Sequence, residues 1–148
     1  MLEKFVMTPR GLALDKFLVR HLGYSLTTQV FARSQGYAPP SVLYLETVGR
    51  KSGQKRGVAV PYFELDGKIL VVGSKGGAPE DPYWALNLRN QPEAVAYINR
   101  KRRNVRAVFL TGEERTRAWE WLKGRISSYR QYETRTTREI PVISLEPV

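Results

Sequence analysis

The sequence predicts an α+β fold, a small and mostly antiparallel barrel with helices packed on it. Three observations carry this expectation. From residue 41 onward, five or six short apolar runs follow one another with only brief turns between them, the pattern of a compact all-antiparallel sheet. Helical spacing precedes these runs over residues 10 to 34 and returns after residue 111. The chain is 148 residues long, a length that fits one domain and lets roughly 70% of the unfolded surface be buried.

In the first helical stretch Leu12, Leu14, Phe17, Leu18, Leu22, Leu26, Val30 and Phe31 recur at steps of three and four, with Arg10, Lys16, Arg20 and Arg33 between them. Such spacing gathers apolar side chains on one helix face, and Gly23-Tyr24 is where it can divide into two helices. The expected role is a cover for the core; the alternative is a basic amphipathic element resting on anionic lipid. Ser41 to Val48 then reads as a strand, Gly49 to Lys55 as a turn, and Arg56 to Leu65 as a second strand. Pro61 has no N–H to give a ladder, so it implies an edge position or a bulge. Asp66-Gly67 is a two-residue hairpin signal, returning the chain as Lys68 to Ser74.

A Gly- and Pro-rich loop covers Lys75 to Pro82, with Asp81 expected to cap a short helix that has Pro82 at its first position and runs to about Asn90. Glu93 to Asn99 and Asn104 to Leu110 read as two strands around a solvated basic turn, Arg100-Lys101-Arg102-Arg103. Thr111 with Glu114 has the spacing of a capping box, opening a helix that carries Trp119 and Trp121 to about Ile126. A looser aromatic and basic segment, Ser127 to Arg138, precedes a last strand, Ile140 to Leu145. The expected organisation is one domain over 1–148, a helical segment to residue 36 followed by the barrel.

Composition removes several function classes. There are no cysteines, so disulfides, thiolate metal sites and cysteine nucleophiles are excluded. His21 is the only histidine, which excludes a catalytic triad or a histidine metal site within one chain, and no metal is expected. Acidic residues are scattered, without the facing pair a glycosidase needs. No run reaches the roughly 18 to 20 apolar residues of a membrane span, and the opening residues lack the apolar region of a signal peptide. The expected location is cytoplasmic. Lys and Arg number 24 against 14 Asp and Glu, a net charge of +10, and a surplus of that size calls for an anionic partner.

Two segments suit such a partner. Gly49-Arg50-Lys51-Ser52-Gly53 is followed by Lys55 and Arg56: glycines that permit a tight turn, four cations and a hydroxyl make an anion cradle. The spacing is not that of a phosphate-binding Walker loop. Ser74-Lys75-Gly76-Gly77-Ala78-Pro79 follows an apolar strand, and paired glycines there let a planar or phosphorylated ligand approach the backbone. Trp84 and Asn87 lie behind it on the short helix. A third segment, with Tyr129, Arg130, Tyr132, Arg135 and Arg138, sets two tyrosines on one side of a helix turn, where they can stack on a planar substrate or donate phenolic protons.

Thr47 to Arg56, Ser74 to Pro79 and Pro82 to Leu88, in that order, resemble the deazaflavin-dependent nitroreductase and quinone reductase family, a branch of the split β-barrel, FMN-binding-like oxidoreductases found in actinobacteria. The resemblance runs from about residue 36 to the end and includes Arg138-Glu139-Ile140-Pro141-Val142. It implies coenzyme F-420, an 8-hydroxy-5-deazaflavin with a phosphate and a polyglutamate tail. On that resemblance Arg50, Lys51, Ser52 and Arg56 hold the phosphate and tail, while Val58, Ala59 and Val60 line the deazaflavin through their backbone. Ser74, Lys75, Gly76 and Gly77 lie beside the ring and ribityl phosphate, backed by Trp84 and Asn87. Ser74, Tyr129 and Tyr132 supply hydrogen bonds or a proton to the acceptor, with Ile126 standing where a further tyrosine is expected. The implied reaction is hydride transfer to a quinone, nitroaromatic or similar planar acceptor. A menaquinone acceptor would go with peripheral contact at the inner face of the plasma membrane. The rival readings are a fatty-acid-binding split barrel without redox activity and, less favoured by the scattered cations, nucleic-acid binding.

Overall fold

A computed structural model describes residues 7–23 and 25–148. Two helices lead: α1 (Pro9–Leu22) and α2 (Leu26–Gln35). Thr8 caps α1 by accepting the Gly11 N–H at 3.0 Å, with Pro9 at the first turn, and Gly23 ends it at φ +67°, a left-handed conformation that glycine adopts without penalty. The division therefore falls at Gly23; Tyr24 lies outside the described residues. Ser25 caps α2, and Asp15 of α1 accepts from Ser25 Oγ at 2.8 Å and from the Thr27 N–H at 3.0 Å. A buried carboxylate at the start of α2 thus latches the two helices together.

The strands are β1 (Ser41–Val48), β2 (Lys55–Leu65), β3 (Lys68–Val72), β4 (Glu93–Ile98), β5 (Lys101–Phe109) and β6 (Val142–Pro147). All neighbours pair antiparallel, and the order β1-β2-β3-β6-β5-β4 closes with β4 against β1. Helices α3 (Tyr83–Asn90), α4 (Gly112–Arg125) and α5 (Ser128–Arg135) pack on this barrel. The result is the α+β split barrel. Among the described residues no helix is long and apolar enough to cross a membrane.

Leu43, Leu45, Val60, Val71 and Ile143 fill the barrel interior. A second cluster, with Phe63, Leu70, Trp119, Leu122 and Tyr129, joins the outside of the barrel to α4 and α5. β2 has 11 residues, and all but three of them pair only with β1: Phe63, Glu64 and Leu65 alone reach β3. The first half of β2 is therefore an edge inside a closed barrel, and Pro61, opposite Val42, sits where a missing N–H costs the ladder nothing.

Several local expectations are corrected. The β4–β5 turn is only Asn99-Arg100, both at positive φ, so Lys101, Arg102 and Arg103 are strand residues paired with Ile98, Tyr97 and Ala96. Thr111 makes no side-chain cap, and Glu114, the other half of the expected box, is engaged by Lys68 Nζ at 3.0 Å. Asp81 likewise caps nothing; Pro82 occupies the cap position, and the carboxylate is held by Arg138 at 2.7 Å. Residues 128–135 are helical instead of loose. The apolar series of α1 does not face the core: Gly11, Asp15 and Val19 are buried, whereas Leu12, Leu14, Phe17 and Leu22 are exposed. His21 is at the surface against Phe17, ring centroids 4.6 Å apart.

α1 is held to the barrel wall through aromatic faces. The Arg20 guanidinium lies 5.1 Å from the Tyr97 ring centre and 5.7 Å from that of Tyr44, a cation–π pairing with two rings. Tyr44 can lie down there because Gly57 leaves room; a Cβ at Gly57 would stand 1.7 Å from the Tyr44 hydroxyl. Gly57→Ala should therefore lower stability by about 1–3 kcal/mol, the usual cost of overpacking. Tyr44→Ala should cancel most of that loss in a double-mutant cycle read by urea unfolding.

Candidate functional site

The open half of β2 borders a cavity of about 800 Å³. Val58, Ala59 and Pro61 form one wall, Val72 and Ser74 the end of β3 beyond it, and Tyr129 and Tyr132 of α5 the wall opposite, with Tyr37, Leu12, Val30 and Phe31 from the N-terminal segment closing over them. Ser74 is half-buried with its hydroxyl free of any side-chain cap bond. The lining is mostly apolar with a few polar groups, the usual make-up of a small-molecule site. Among the described residues no group of three or more acidic or histidine side chains could hold a metal ion.

The Ser74 loop borders the cavity, and α3 joins that loop to the β1–β2 turn. In the β1–β2 turn, Gly49 N–H donates to the Gln54 carbonyl and Gly53 N–H to that of Gly49, each at 2.8 Å. A Cβ on Gly49 would stand 2.7 Å from Ser52 Oγ, so this tight turn requires glycine. Asn87, on the buried face of α3, donates through Nδ2 to Thr47 Oγ1 at 3.0 Å and accepts the Arg50 N–H through Oδ1 at 3.1 Å. One turn earlier on the same helix, the exposed Tyr83 ring has Lys75 Nζ 5.6 Å from its centre. The cationic turn and the Ser74 loop are thereby set on adjacent turns of one helix.

Comparison with known proteins decides what this arrangement belongs to. Residues 25–147 match the family model described as F420H(2)-dependent quinone reductase. The chain is 32% identical over 145 residues to the F420H(2)-dependent quinone reductase Rv1261c of Mycobacterium tuberculosis, covering 89% of this chain and 97% of that one. This chain is a member of the F420H(2)-dependent quinone reductase family. A solved structure titled F420-H2 dependent reductase (FDR-A) superposes with a TM-score of 0.63 at 36% identity, covering 71% of this chain and 93% of that one. HutZ of Vibrio cholerae, with a TM-score of 0.56 at 13% identity over 72% of this chain and 81% of its own, shares the fold alone.

Within this family member the residues singled out from sequence fall into three groups. Val58, Ala59, Ser74, Tyr129 and Tyr132 line the cavity together. Arg50, Lys51, Ser52 and Arg56 are exposed on the β1–β2 side, and Lys75 and Gly76 on the neighbouring loop. Ser52 Oγ accepts the Gln54 N–H at 3.2 Å, bracing the turn. Val60, Trp84 and Asn87 point into the protein: Val60 is buried in the barrel core, Trp84 packs against that core, and Asn87 is buried with both ends of its amide engaged. The paired glycines divide their roles. Gly76 has open space where a Cβ would be, whereas a Cβ on Gly77 would come within 2.8 Å of the Tyr132 carbonyl, so that close approach is to α5.

Two contributors carry no recognisable signal in the sequence, and a third, Arg138, is marked there without its role. Tyr37, from the α2–β1 connection, lines the cavity with Tyr129 and Tyr132. Gly57 seats Tyr44 against the barrel wall. Arg138 binds main-chain carbonyls of the Ser74 loop, a function visible only once the loop is in place.

The tyrosines differ chemically. Tyr129 is buried, stacked on Trp119 at 5.6 Å and near Phe63 and Tyr132. Burial, with smaller contributions from Tyr37 and Tyr132, pushes its phenol far above the ordinary range. Burial also raises Tyr37, opposed in part by the adjacent Ser128. Tyr129 is thus a neutral hydrogen-bond donor that does not surrender its proton. α5 is pinned to α4 by Glu133, which accepts from the Trp119 indole and from Lys123 at 3.2 Å; the indole foremost, then Lys123, hold that carboxyl below its usual value.

The raised Tyr129 pKa has a defined sign. Below pH 10, the ordinary tyrosine value, folded and unfolded chains both keep the proton and stability is complete. Above it only the unfolded chain ionises, so stability falls as pH rises. Tyr129→Phe should remove this component of the alkaline slope in urea unfolding measured from pH 9 to 11, while a wild-type slope in Tyr129→Phe would show that the phenol is not the source.

Proposed function

We propose that this chain transfers hydride from reduced coenzyme F-420 to a lipid-soluble quinone of the menaquinone type, accepts nitroaromatics as further planar acceptors, and works at an anionic membrane surface. The observation that carries the coenzyme assignment is the set of cations on the β1–β2 turn. Arg50, Lys51, Lys55 and Arg56 are exposed, and among the described residues none of them, nor Lys75, has an acidic partner within ion-pair distance, whereas Lys68, Arg106 and Arg115 do. Unneutralised charge on a turn made rigid by Asn87 fits a phosphate and a glutamate tail.

When bound, the coenzyme supplies the hydride from its deazaflavin ring. Everything else falls to the chain. Val58 and Ala59 offer a main-chain edge without a β3 partner for a planar ring to lie against. Ser74 Oγ and the Tyr132 phenol, both at the cavity, donate hydrogen bonds to the quinone oxygen as it gains negative charge, and the apolar walls keep water away from it. Tyr129 orients the acceptor as a neutral donor. Reduction to the hydroquinone also consumes a proton, for which Tyr132 is the better placed phenol, since burial locks the Tyr129 proton in position.

Met7, Leu12 and Phe31 line the cavity and are also exposed at the surface. The mouth therefore opens at the surface beside the N-terminal helices, which expose Leu14 and Phe17 elsewhere on α1 and carry positive charge at Arg10, Lys16 and Arg33. This supports entry of an isoprenoid acceptor from lipid. Leu14→Glu with Phe17→Glu should abolish co-sedimentation with phosphatidylglycerol vesicles; unchanged sedimentation would remove α1 from the contact.

For the coenzyme, Lys51→Ala with Arg56→Ala should weaken F-420 binding at least about tenfold, equivalent to roughly 1.4 kcal/mol, as read by fluorescence titration. An unchanged affinity would show that the tail lies elsewhere. Wild-type protein that binds no F-420 and carries a fatty acid in native mass spectrometry would overturn the proposal in favour of a lipid carrier.

A further inference from the structure

The loop from Gly73 to Asp81 forms one wall of the cavity through Ser74, yet it contains only a single 3₁₀ turn, Lys75–Gly77. Its shape is imposed from the segment that follows α5. The guanidinium of Arg138 donates from Nε to the Ala78 carbonyl at 2.9 Å, from Nη1 to the Gly73 carbonyl at 3.1 Å and Asp81 Oδ1 at 2.7 Å, and from Nη2 to the Ser74 carbonyl at 2.8 Å. Arg135 adds a bond from Nη1 to the Gly76 carbonyl at 3.3 Å. The side chains of Arg138 and Asp81 are only 14% and 13% exposed. Asp81 also has Arg89 Nε at 3.6 Å.

We propose that Arg138, aligned by Asp81, is a positioning residue that fixes the spacing between the Ser74 wall and the tyrosine wall of the cavity, and so sets how the quinone meets the hydride donor without touching either. The inference rests on the function proposed above. With the Ser74 carbonyl tied to Nη2, the backbone orientation that aims its hydroxyl at the cavity is fixed. The next residue, Lys75, is at φ +45°, a left-handed conformation that side-chain-bearing residues keep only where their surroundings enforce it. Gly77, pressed on Tyr132, transmits the same constraint to α5. Four acceptors spread around one planar cation require a guanidinium; a lysine ammonium concentrates its donors on one atom and cannot span them.

The test compares Arg138→Ala, Arg138→Lys and Asp81→Asn with the wild type. Without any ligand, hydrogen exchange at residues 74–78 should rise at least tenfold in the Ala and Lys variants while barrel amides stay protected. With coenzyme, kcat for a soluble quinone should fall at least tenfold with KM for that quinone changed less than threefold, and millimolar methylguanidinium should restore much of it to Arg138→Ala only. Asp81→Asn should show a smaller shift of the same kind. Loop exchange and kcat within twofold of wild type in Arg138→Ala would overturn the proposal. So would a loss of kcat that tracks exchange throughout the barrel and is not restored by methylguanidinium. Should Arg138→Ala not fold, Arg138→Lys and Asp81→Asn carry the same comparisons. A wild type without affinity for F-420 would sink the functional reading and leave the exchange result to decide whether Arg138 is the clamp.

Discussion

The unequal pairing of β2 governs the rest of this molecule. A closed barrel satisfies every strand with two neighbours, and closure is what removes exposed edges. Here β3 accompanies β2 only over Phe63–Leu65, while β6 takes β3 onward at Ile69–Val72. The ring closes through the longer path and leaves the start of β2 facing a cavity in place of a neighbour. That one mismatch supplies an apolar wall, a main-chain edge and a place for Pro61 together. It also dictates where the helices go, with α5 closing one side of the gap and α1 and α2 another.

Charge is organised by pairing as much as by number. Exposed ion pairs such as Arg106–Glu93 and Lys68–Glu114 cancel charge locally and contribute little to stability in water. Arg138 is different in kind, since its charge is largely buried and committed to main-chain oxygens and Asp81. The cations of the β1–β2 turn differ again, because the turn is rigid while its side chains are free. The net charge of +10 therefore rests on cations outside these pairs, those of the β1–β2 turn among them.

The succession of strands and most boundaries are legible in the sequence because their determinants are local, whereas the insertion of β6 between β3 and β5 is not. Asp66-Gly67 takes positive φ at both positions, as its side chains predict. Asn99-Arg100 makes an equivalent turn, but an arginine there carries no local signature, and the basic run reads as one long turn. The capping expectation for Asp81 fails because its carboxylate is claimed by Arg138, 57 positions away in the chain, and the box expected at Thr111 loses its Glu114 arm to Lys68, 46 positions away. Partners at that range leave no pattern in a single sequence. In the site, Ser74 and the α5 tyrosines can be placed by motif and spacing, whereas Tyr37 becomes part of the cavity wall only because α2 turns back over it. The buried stripe of α1 departs from its apolar periodicity because a latch, Asp15 on Ser25, outranks that periodicity there.

Closure that does without the first half of β2 also bears on how such a chain can diverge. Residues facing the cavity from α1, α2 and α5 contribute no bonds to the sheet ladder, so on the function proposed above exchanging them would alter acceptor preference without breaking that ladder. The β1–β2 turn, proposed above to hold the coenzyme, has no such latitude: it is tied through Asn87 to Thr47, which is almost wholly buried. On that function sequence drift would be channelled toward the acceptor-facing walls, and a family on this scaffold would be expected to keep one coenzyme while its oxidants vary.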